Sequence, residues 1–219
     1  MSDETITPIS ANIFKFPSKA VIHNLFPTPV GCYGVEHKLT KKELKFLLDQ
    51  PQRNNMGNTT SVDNKILNNK ELSVFKKALE NKLSIYFNEV YNPKYEVSLR
   101  ITQSWVNYTK QGQYHHKHRH PNSFVSGVYY IETSETDKIY FYNQHPANNI
   151  KMPPVMWNTW NSESWWFEAT KGDLFLFPST LEHMVETVNA ENTRISLSFN
   201  TFPVGIVGEA NDLTLLELT

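Results

Sequence analysis

Hydrophobic residues recur at two different periods along the chain, and the period changes near residue 95. Before that point, apolar residues recur about every 3.6 positions in two segments, which predicts helices over Leu39–Gln50 and Asn69–Tyr91. Thr40 is predicted to cap the first helix, because its hydroxyl can accept from an unpaired backbone N–H of the first turn. The polar segment between the two helices is predicted to be a loop.

From Tyr95 onward, valine, threonine and aromatic residues alternate with polar ones in at least six short segments bounded by Gly, Pro and Asn. Successive strands without intervening helices predict a β-sandwich or a barrel-like roll. We expect residues 1–219 to form one domain. It would have an N-terminal extension with two helices (1–94), a β core (95–203) and a C-terminal tail (204–219). An aromatic-rich insertion over 143–168 is predicted to be a lid or binding loop.

Composition and charge narrow the class of protein without excluding a nucleic-acid partner. A formal net charge of -1 gives no support for a nucleic-acid partner through bulk electrostatics. The one cysteine allows no intramolecular disulfide and indicates a reducing compartment. No secretory signal is visible at the N-terminus, and no run of about 18 apolar residues predicts a membrane span. We therefore expect a soluble cytoplasmic protein.

Three histidines alternate with two basic residues in the segment His116-Lys117-His118-Arg119-His120. In an extended strand every second side chain points to the same face, so the three imidazoles are predicted to converge while Lys117 and Arg119 face solvent. Neutral imidazoles suit Zn, Fe, Cu or Ni better than Mg or Ca. The alternative interpretation is a polar strand edge or a metal-scavenging tract.

A fourth histidine, His183, follows a turn at Lys171–Asp173, an apolar strand and Pro178. This order can bring its imidazole from one sheet against histidines of the opposite sheet. Taken with the upstream cluster, His183 is predicted to be a metal ligand rather than an ordinary surface or core residue.

Arg194, Ser196 and Ser198 share one face of a later strand by simple alternation. A buried arginine is costly unless it meets an anion, and a guanidinium beside a hydroxyl binds a carboxylate well. The pattern therefore predicts a carboxylate site. A surface ion pair of Arg194 is the alternative.

In this order, the segments Leu25–Gly31, His118–Tyr130 and Leu176–Asn200 resemble the 2-oxoglutarate/Fe(II) oxygenase superfamily, and most closely a small group common in marine bacteria and phages. In that superfamily an H-x-D/E pair and a distal histidine hold iron, and an R-x-S motif binds the far carboxylate of 2-oxoglutarate. The chain departs from the pattern at one point. His120 stands where the carboxylate ligand is usual, so the site would have three neutral ligands.

The resemblance implies a double-stranded β-helix (a jelly roll, cupin-like), with Fe(II) and 2-oxoglutarate as cofactors. The residues it implies are His118, His120 and His183 as catalytic metal ligands, His116 as an alternative ligand, Arg194 and Ser196 for 2-oxoglutarate, and Asn107 with Tyr129 or Tyr130 for further hydrogen bonds. The expected reaction is hydroxylation of an unidentified substrate, with succinate and CO2 formed from the co-substrate. Apolar walls are expected from Phe175, Phe177 and Phe199.

Two other functions fit parts of the same pattern. A three-histidine dioxygenase or isomerase of the cupin type would need no 2-oxoglutarate, and Arg194 with Ser196 distinguishes it from the first hypothesis. A non-catalytic metal- or ligand-binding β-roll is the other. The four tryptophans of the insertion (Trp157, Trp160, Trp165 and Trp166) are predicted to contact a substrate, to pack the loop onto the core or to form a homodimer contact.

Overall fold

The computed structural model describes residues 21–143, 150 and 152–219. It contains two α-helices and twelve β-strands among these residues. The first six strands are β1 (Gly31–Gly34), β2 (Gln52–Asn54), β3 (Thr59–Ser61), β4 (Val97–Thr109), β5 (His115–His118) and β6 (Val125–Glu132). The last six are β7 (Lys138–Tyr142), β8 (Ser164–Glu168), β9 (Asp173–Pro178), β10 (His183–Val185), β11 (Arg194–Val207) and β12 (Leu216–Leu218).

Both predicted helices form, with shorter bounds than the periodicity suggested: α1 covers Lys41–Leu48 and α2 covers Ser73–Tyr91. The predicted cap of α1 is confirmed. The Glu43 backbone N–H donates to Thr40 Oγ1 (3.2 Å), and the Thr40 backbone N–H donates to the Glu43 carboxylate (2.8 Å). This reciprocal capping box contributes on the order of 1 kcal/mol. Two 3-10 turns precede α2, which explains its later start.

The strands pair in two antiparallel sheets that form the predicted jelly roll. The larger sheet has the order β1-β9-β6-β11-β4-β3-β2, with β12 also paired to β11, and the smaller sheet has the order β5-β10-β7-β8. Fold class, mainly β with two flanking helices, is therefore confirmed. Among the described residues, no helix is both long and apolar enough to cross a membrane.

The larger sheet buries a different hydrophobic cluster on each face. Its outer face packs against the helices, and this cluster includes Leu47, Phe75, Leu79, Tyr129, Leu176, Ile195, Leu197 and Phe199. Its inner face meets the smaller sheet, and this second cluster includes Val128, Tyr130, Phe141, Phe175, Phe177 and Leu181. The space between the two sheets holds the histidines described below.

Strand β11 serves both faces, as its alternation predicted. Ile195, Leu197 and Phe199 lie in the outer cluster, and the residues between them face inward. The expectation that Phe199 would form a wall of the site is therefore wrong. Its ring covers Gly127 of β6, where a Cβ would lie only 2.2 Å from the ring. Phe175 and Phe177 do face inward, as expected.

The insertion is less irregular than predicted, because its last five residues form β8 and pair with β7. Residues 144–149 and 151, which include His145, lie outside the described residues. The proposed division of the chain into extension, core and tail remains a prediction.

Candidate metal centre

Three imidazoles converge between the sheets. The ligand nitrogens of His118, His120 and His183 all lie within 4.8 Å of one another. The Nε2 atoms of His120 and His183 are 3.3 Å apart, and the His118 ring centroid lies 4.4 Å from that of His183. This trio joins two neighbouring histidines of the sequence to one from 63 residues away.

The backbone fixes each of the three ring positions. His118 of β5 lies directly opposite His183 of β10 in the antiparallel pair, so their side chains are cross-strand neighbours. His120 lies just beyond β5, where its backbone N–H donates to the Ser179 carbonyl (3.0 Å). Ser179 follows the proline that ends β9, so the predicted proline corner anchors the third ring.

Two backbone carbonyls set the tautomers. His118 Nδ1 lies 2.7 Å from the His116 carbonyl oxygen, and His183 Nδ1 lies 3.0 Å from the Leu181 carbonyl oxygen. A carbonyl only accepts, so each Nδ1 carries the proton and each Nε2 presents a lone pair. Support of this kind from a carbonyl is typical of histidines that bind metals.

The close approach of His120 Nε2 to His183 Nε2 follows the same logic. Since His183 Nε2 is an acceptor, the contact requires either a proton on His120 Nε2 or a cation between the two nitrogens. A metal-bound centre satisfies both lone pairs at once. The donor set therefore fits a divalent transition metal.

Burial keeps these rings neutral. Desolvation lowers the pKa of His120 to about 3, with a smaller contribution from His118. It also lowers the pKa of His118 and, more strongly, that of His183. Neutral imidazole is the form that binds a metal, so protons do not compete for these nitrogens near neutral pH.

Arg194 lies buried on the inner face of β11, with 4% of its side chain exposed. Its Nη1 donates to Asp137 Oδ1 at 3.0 Å, and both terminal nitrogens reach the Glu186 carbonyl oxygen at 3.3 Å. The predicted anion partner is thus present, but it belongs to the protein. These hydrogen bonds engage Nη1 and one N–H of Nη2, whereas Nε makes none among the described residues, so the Nε N–H remains as a donor for a further carboxylate.

Tyr130 supplies an unpaired donor beside this pair. Its side chain is 1% exposed, and its hydroxyl has no hydrogen-bond partner among the described residues. Burial raises the pKa of this phenol, and the charges of Arg194 and Asp137 act on it as well. A buried unpaired hydroxyl costs about 1–3 kcal/mol, which makes this group a candidate donor to a bound ligand.

Tyr129, one of the two tyrosines named as candidates in the sequence analysis, lies on the outer face, away from Arg194. Its ring packs edge-on against Phe75 of α2 at 4.9 Å, in the outer cluster. Strand alternation explains the correction, because Tyr130 pairs with Ser196 and therefore shares the inner face with Arg194.

The remaining predicted residues lie on this inner face. Asn107 Nδ2 donates to Ser198 Oγ (3.0 Å) and to Ser196 Oγ (3.4 Å). Its Oδ1 accepts from Trp105 Nε1 at 3.1 Å. The Trp105 ring lies 5.8 Å from that of His120, so this network extends to the histidine trio.

A family described as "Putative 2OG-Fe(II) oxygenase" matches residues 103–200, the span that contains all three histidines, Arg194 and Tyr130. The predicted resemblance to the 2OG-Fe(II) oxygenases is confirmed. No curated protein matches the sequence.

Solved structures of 2OG-Fe(II) oxygenases share the fold. HygX from Streptomyces hygroscopicus, solved with nickel, 2-oxoglutarate and hygromycin B, has a TM-score of 0.56 at 11% identity, over 80% of this chain and 82% of that one. A 2OG-Fe(II) oxygenase family protein from Burkholderia pseudomallei has a TM-score of 0.52 at 13% identity, over 72% of this chain and 74% of that one. At these identities the likeness establishes the architecture.

The structure adds two residues to the site that the sequence analysis did not assign to it. His115 stacks on His118, with ring centroids 4.6 Å apart, and Asp137 is the partner of Arg194. Strict alternation would place His115 on the strand face opposite to His116, His118 and His120, so the sequence analysis left it out. Asp137 lies in an acidic turn before β7, where no sequence pattern pairs it with a strand residue 57 positions later.

His116, the alternative ligand, lies outside the trio. It is half-buried, and its Nδ1 lies 3.4 Å from the Met56 carbonyl oxygen. The other two predictions for this segment hold, since Lys117 and Arg119 are both exposed.

A cavity of about 710 Å³ is lined in part by Leu181, whose carbonyl oxygen lies 3.0 Å from His183 Nδ1. The three histidines are not among its lining residues. Those include Asn24, Phe141, Trp160, Trp165, Phe167 and Leu181. Trp160 donates through Nε1 to the side chain of Asn24, which ties the insertion to the segment before β1.

Proposed function

We propose that the protein is a 2-oxoglutarate- and Fe(II)-dependent dioxygenase that hydroxylates a substrate, in which His118, His120 and His183 hold the metal. The observation that carries the proposal is the combination of three neutral imidazoles with a buried guanidinium and an unpaired tyrosine hydroxyl on facing sheets. When bound, Fe(II) and 2-oxoglutarate supply the oxidation of a C–H bond by O2, with succinate and CO2 as co-products.

Side chains of the protein would bind and orient 2-oxoglutarate and would shield the metal from water. The Nε N–H of Arg194 and the Tyr130 hydroxyl would bind the far carboxylate of 2-oxoglutarate, because neither donates a hydrogen bond within the described residues, whereas Nη1 and Nη2 already do. Ser196 lies opposite Tyr130 in the β11–β6 pair and adds a hydroxyl to the same face. Its hydroxyl already accepts from Asn107, which orients it.

Apolar rings would keep water away from the metal. Phe177 lies 4.7 Å from the His183 ring and is 1% exposed, and Phe141 lies 5.0 Å from Phe177. A dry site strengthens the electrostatic interactions within it and limits side reactions of a strong oxidant. The three ligands are neutral, so the centre would keep the full charge of the cation, and the anionic co-substrate would provide its nearest negative charge.

One observation favours a second candidate, the three-histidine cupin-type dioxygenase or isomerase. Arg194 already has Asp137 as its counter-ion, and both side chains are 4% exposed. A structural ion pair needs no dicarboxylate. The unpaired Tyr130 hydroxyl argues for the first candidate, because a purely structural cluster gains nothing from leaving it unsatisfied.

The deciding experiment is an anaerobic titration of the metal-free protein with Fe(II) and 2-oxoglutarate, following the weak visible charge-transfer band of their chelate. We expect a band that requires both components. It should be absent in Arg194→Ala and in the double variant Arg194→Ala/Asp137→Ala, which removes the buried carboxylate as well and so tests binding without an uncompensated charge. Arg119→Ala, on the exposed face of the same histidine segment, is the matched control.

Metal binding without the band, unaffected by 2-oxoglutarate, would contradict the proposal and leave the cupin-type activity as the better candidate.

A further inference from the structure

A second set of imidazoles overlaps the first at His118. The ligand nitrogens of His115, His116 and His118 also lie within 4.8 Å of one another. The His115 ring centroid is 4.6 Å from that of His118 and 5.4 Å from that of His116, and the His116 and His118 centroids are 4.8 Å apart. We propose that these three residues form a second cation site, selective for Zn(II)-like ions, which competes with the first site for His118.

An irregularity in the strand brings the three rings together. His118 lies opposite His183, but His115 lies opposite Val185, so three steps along β5 match two steps along β10. This extra residue is a β-bulge, which turns a side chain away from strict alternation. It explains how the adjacent His115 and His116 both reach His118, although neighbours in a regular strand point to opposite faces.

The chemistry of the set suits a borderline transition metal. Three imidazoles without a carboxylate favour Zn(II), Cu(II) and Ni(II) over Mg(II) or Ca(II). Arg194, whose charge acts on His115, is neutralised by Asp137 and so repels an incoming ion less. His116 is half-buried and its contact with Met56 is solvent-exposed, which gives an ion an entry path that the buried His183 does not offer.

Sharing His118 makes the two sites interdependent. Its Nδ1 carries the proton donated to the His116 carbonyl, so only its Nε2 can bind a cation, and only one cation at a time. While the first site is filled, the second has two dedicated ligands, His115 and His116, and binds more weakly. An excess of Zn(II) would draw His118 away from the first site. If the proposed oxygenase activity is correct, Zn(II) would then inhibit by removing a ligand of the iron.

The test is a Zn(II) titration of metal-free protein against a chromophoric chelator, using variants that separate the two sites. His120→Gln/His183→Gln removes two ligands of the first site, and we expect it to retain one equivalent of Zn(II). Adding His116→Ala to this variant should weaken that equivalent by more than the ~10-fold typical of losing only a supporting group. Adding Arg119→Ala instead, at an exposed neighbouring position, should leave it unchanged. A folded double variant whose Zn(II) affinity is unaffected by His116→Ala would overturn the proposal.

The wild-type background gives a second measurement in case the double variant fails to fold. There we expect a tight first equivalent and a weaker second one, with only the second lost in His116→Ala. Identical titrations of wild type and His116→Ala would refute the second site. Neither titration contains 2-oxoglutarate, so this outcome is independent of the chelate band that tests the proposed function.

Discussion

Replacing Tyr130 by Phe should stabilise the protein and impair its co-substrate binding at the same time. The hydroxyl is buried without a hydrogen-bond partner among the described residues, while the ring packs edge-on against Phe175 at 5.9 Å. Phe keeps that ring and removes only the unsatisfied donor. The unpaired group costs about 1–3 kcal/mol, so we expect the metal-free variant to gain about 1 kcal/mol in unfolding free energy. For a chain of this length, that gain raises Tm by roughly 2–4 °C.

Binding should change in the opposite direction. A hydrogen bond to a charged group contributes about 1.5–3 kcal/mol, so losing the one donated to the 2-oxoglutarate carboxylate should weaken its affinity by about 10- to 150-fold. The assay is calorimetric titration of the Ni(II)-loaded protein with 2-oxoglutarate, together with thermal unfolding of the metal-free form. Tyr129→Phe is the control, since that neighbour packs on the opposite face against Phe75.

Three results of this experiment would contradict the prediction, each in a different way. If Tyr130→Phe lowers Tm, the hydroxyl already has a partner and the reasoning from its isolation is wrong. If stability rises while 2-oxoglutarate affinity stays within twofold of wild type, the hydroxyl does not meet the co-substrate. An equal loss of affinity in Tyr129→Phe would show that the effect is transmitted through the strand rather than made at the site.

Three further predictions concern charge and packing. The pKa of His120 is lowered to about 3 in the folded protein, so as pH falls its imidazole is protonated in the unfolded chain before it is protonated in the folded one. The unfolding free energy of the metal-free protein should therefore fall as pH drops from about 6.5 toward 3. Measured by urea titration, the slope of unfolding free energy against pH should be smaller in His120→Gln by up to about 1.4 kcal/mol per pH unit. Asp137→Ala leaves Arg194 buried without its counter-ion and should cost about 3–5 kcal/mol in chemical denaturation. Gly127→Ala would press a Cβ against the Phe199 ring and should cost about 1–3 kcal/mol, measured by thermal unfolding.

Local periodicity was sufficient to predict the helices, an all-β core and the two faces of β11, whereas the jelly roll itself was implied by the resemblance to a known superfamily. The inward positions of Arg194 and Ser196 follow from alternation alone, because β11 pairs regularly with β4 where they lie. The same rule fails in β5, where the bulge against β10 brings His115 to His118. Whether a strand contains a bulge depends on its partner, which one sequence does not specify.

Contacts between residues that lie far apart in the sequence could not be predicted either. The carboxylate that meets Arg194 comes from a turn that reads as ordinary acidic surface, and only the tertiary fold buries Asp137. Choosing between the adjacent tyrosines likewise required the register of β6 on β11, which places Tyr130 opposite Ser196. A shift of one residue in that register would have made Tyr129 the inner side chain.

The long strand β11 also determines how the molecule must unfold. It is hydrogen-bonded to β4, β6 and β12, and its alternate residues face the helix-packed core on one side and the Arg194–Asp137 ion pair on the other. Its partner β4 is almost a hundred residues earlier in the chain, so this pairing closes late and slowly during folding. The site and the core beneath the helices should therefore be one cooperative unit, whose β11 amides exchange with solvent only through global opening. Loss of metal-binding geometry and loss of helical signal would then coincide in a single transition.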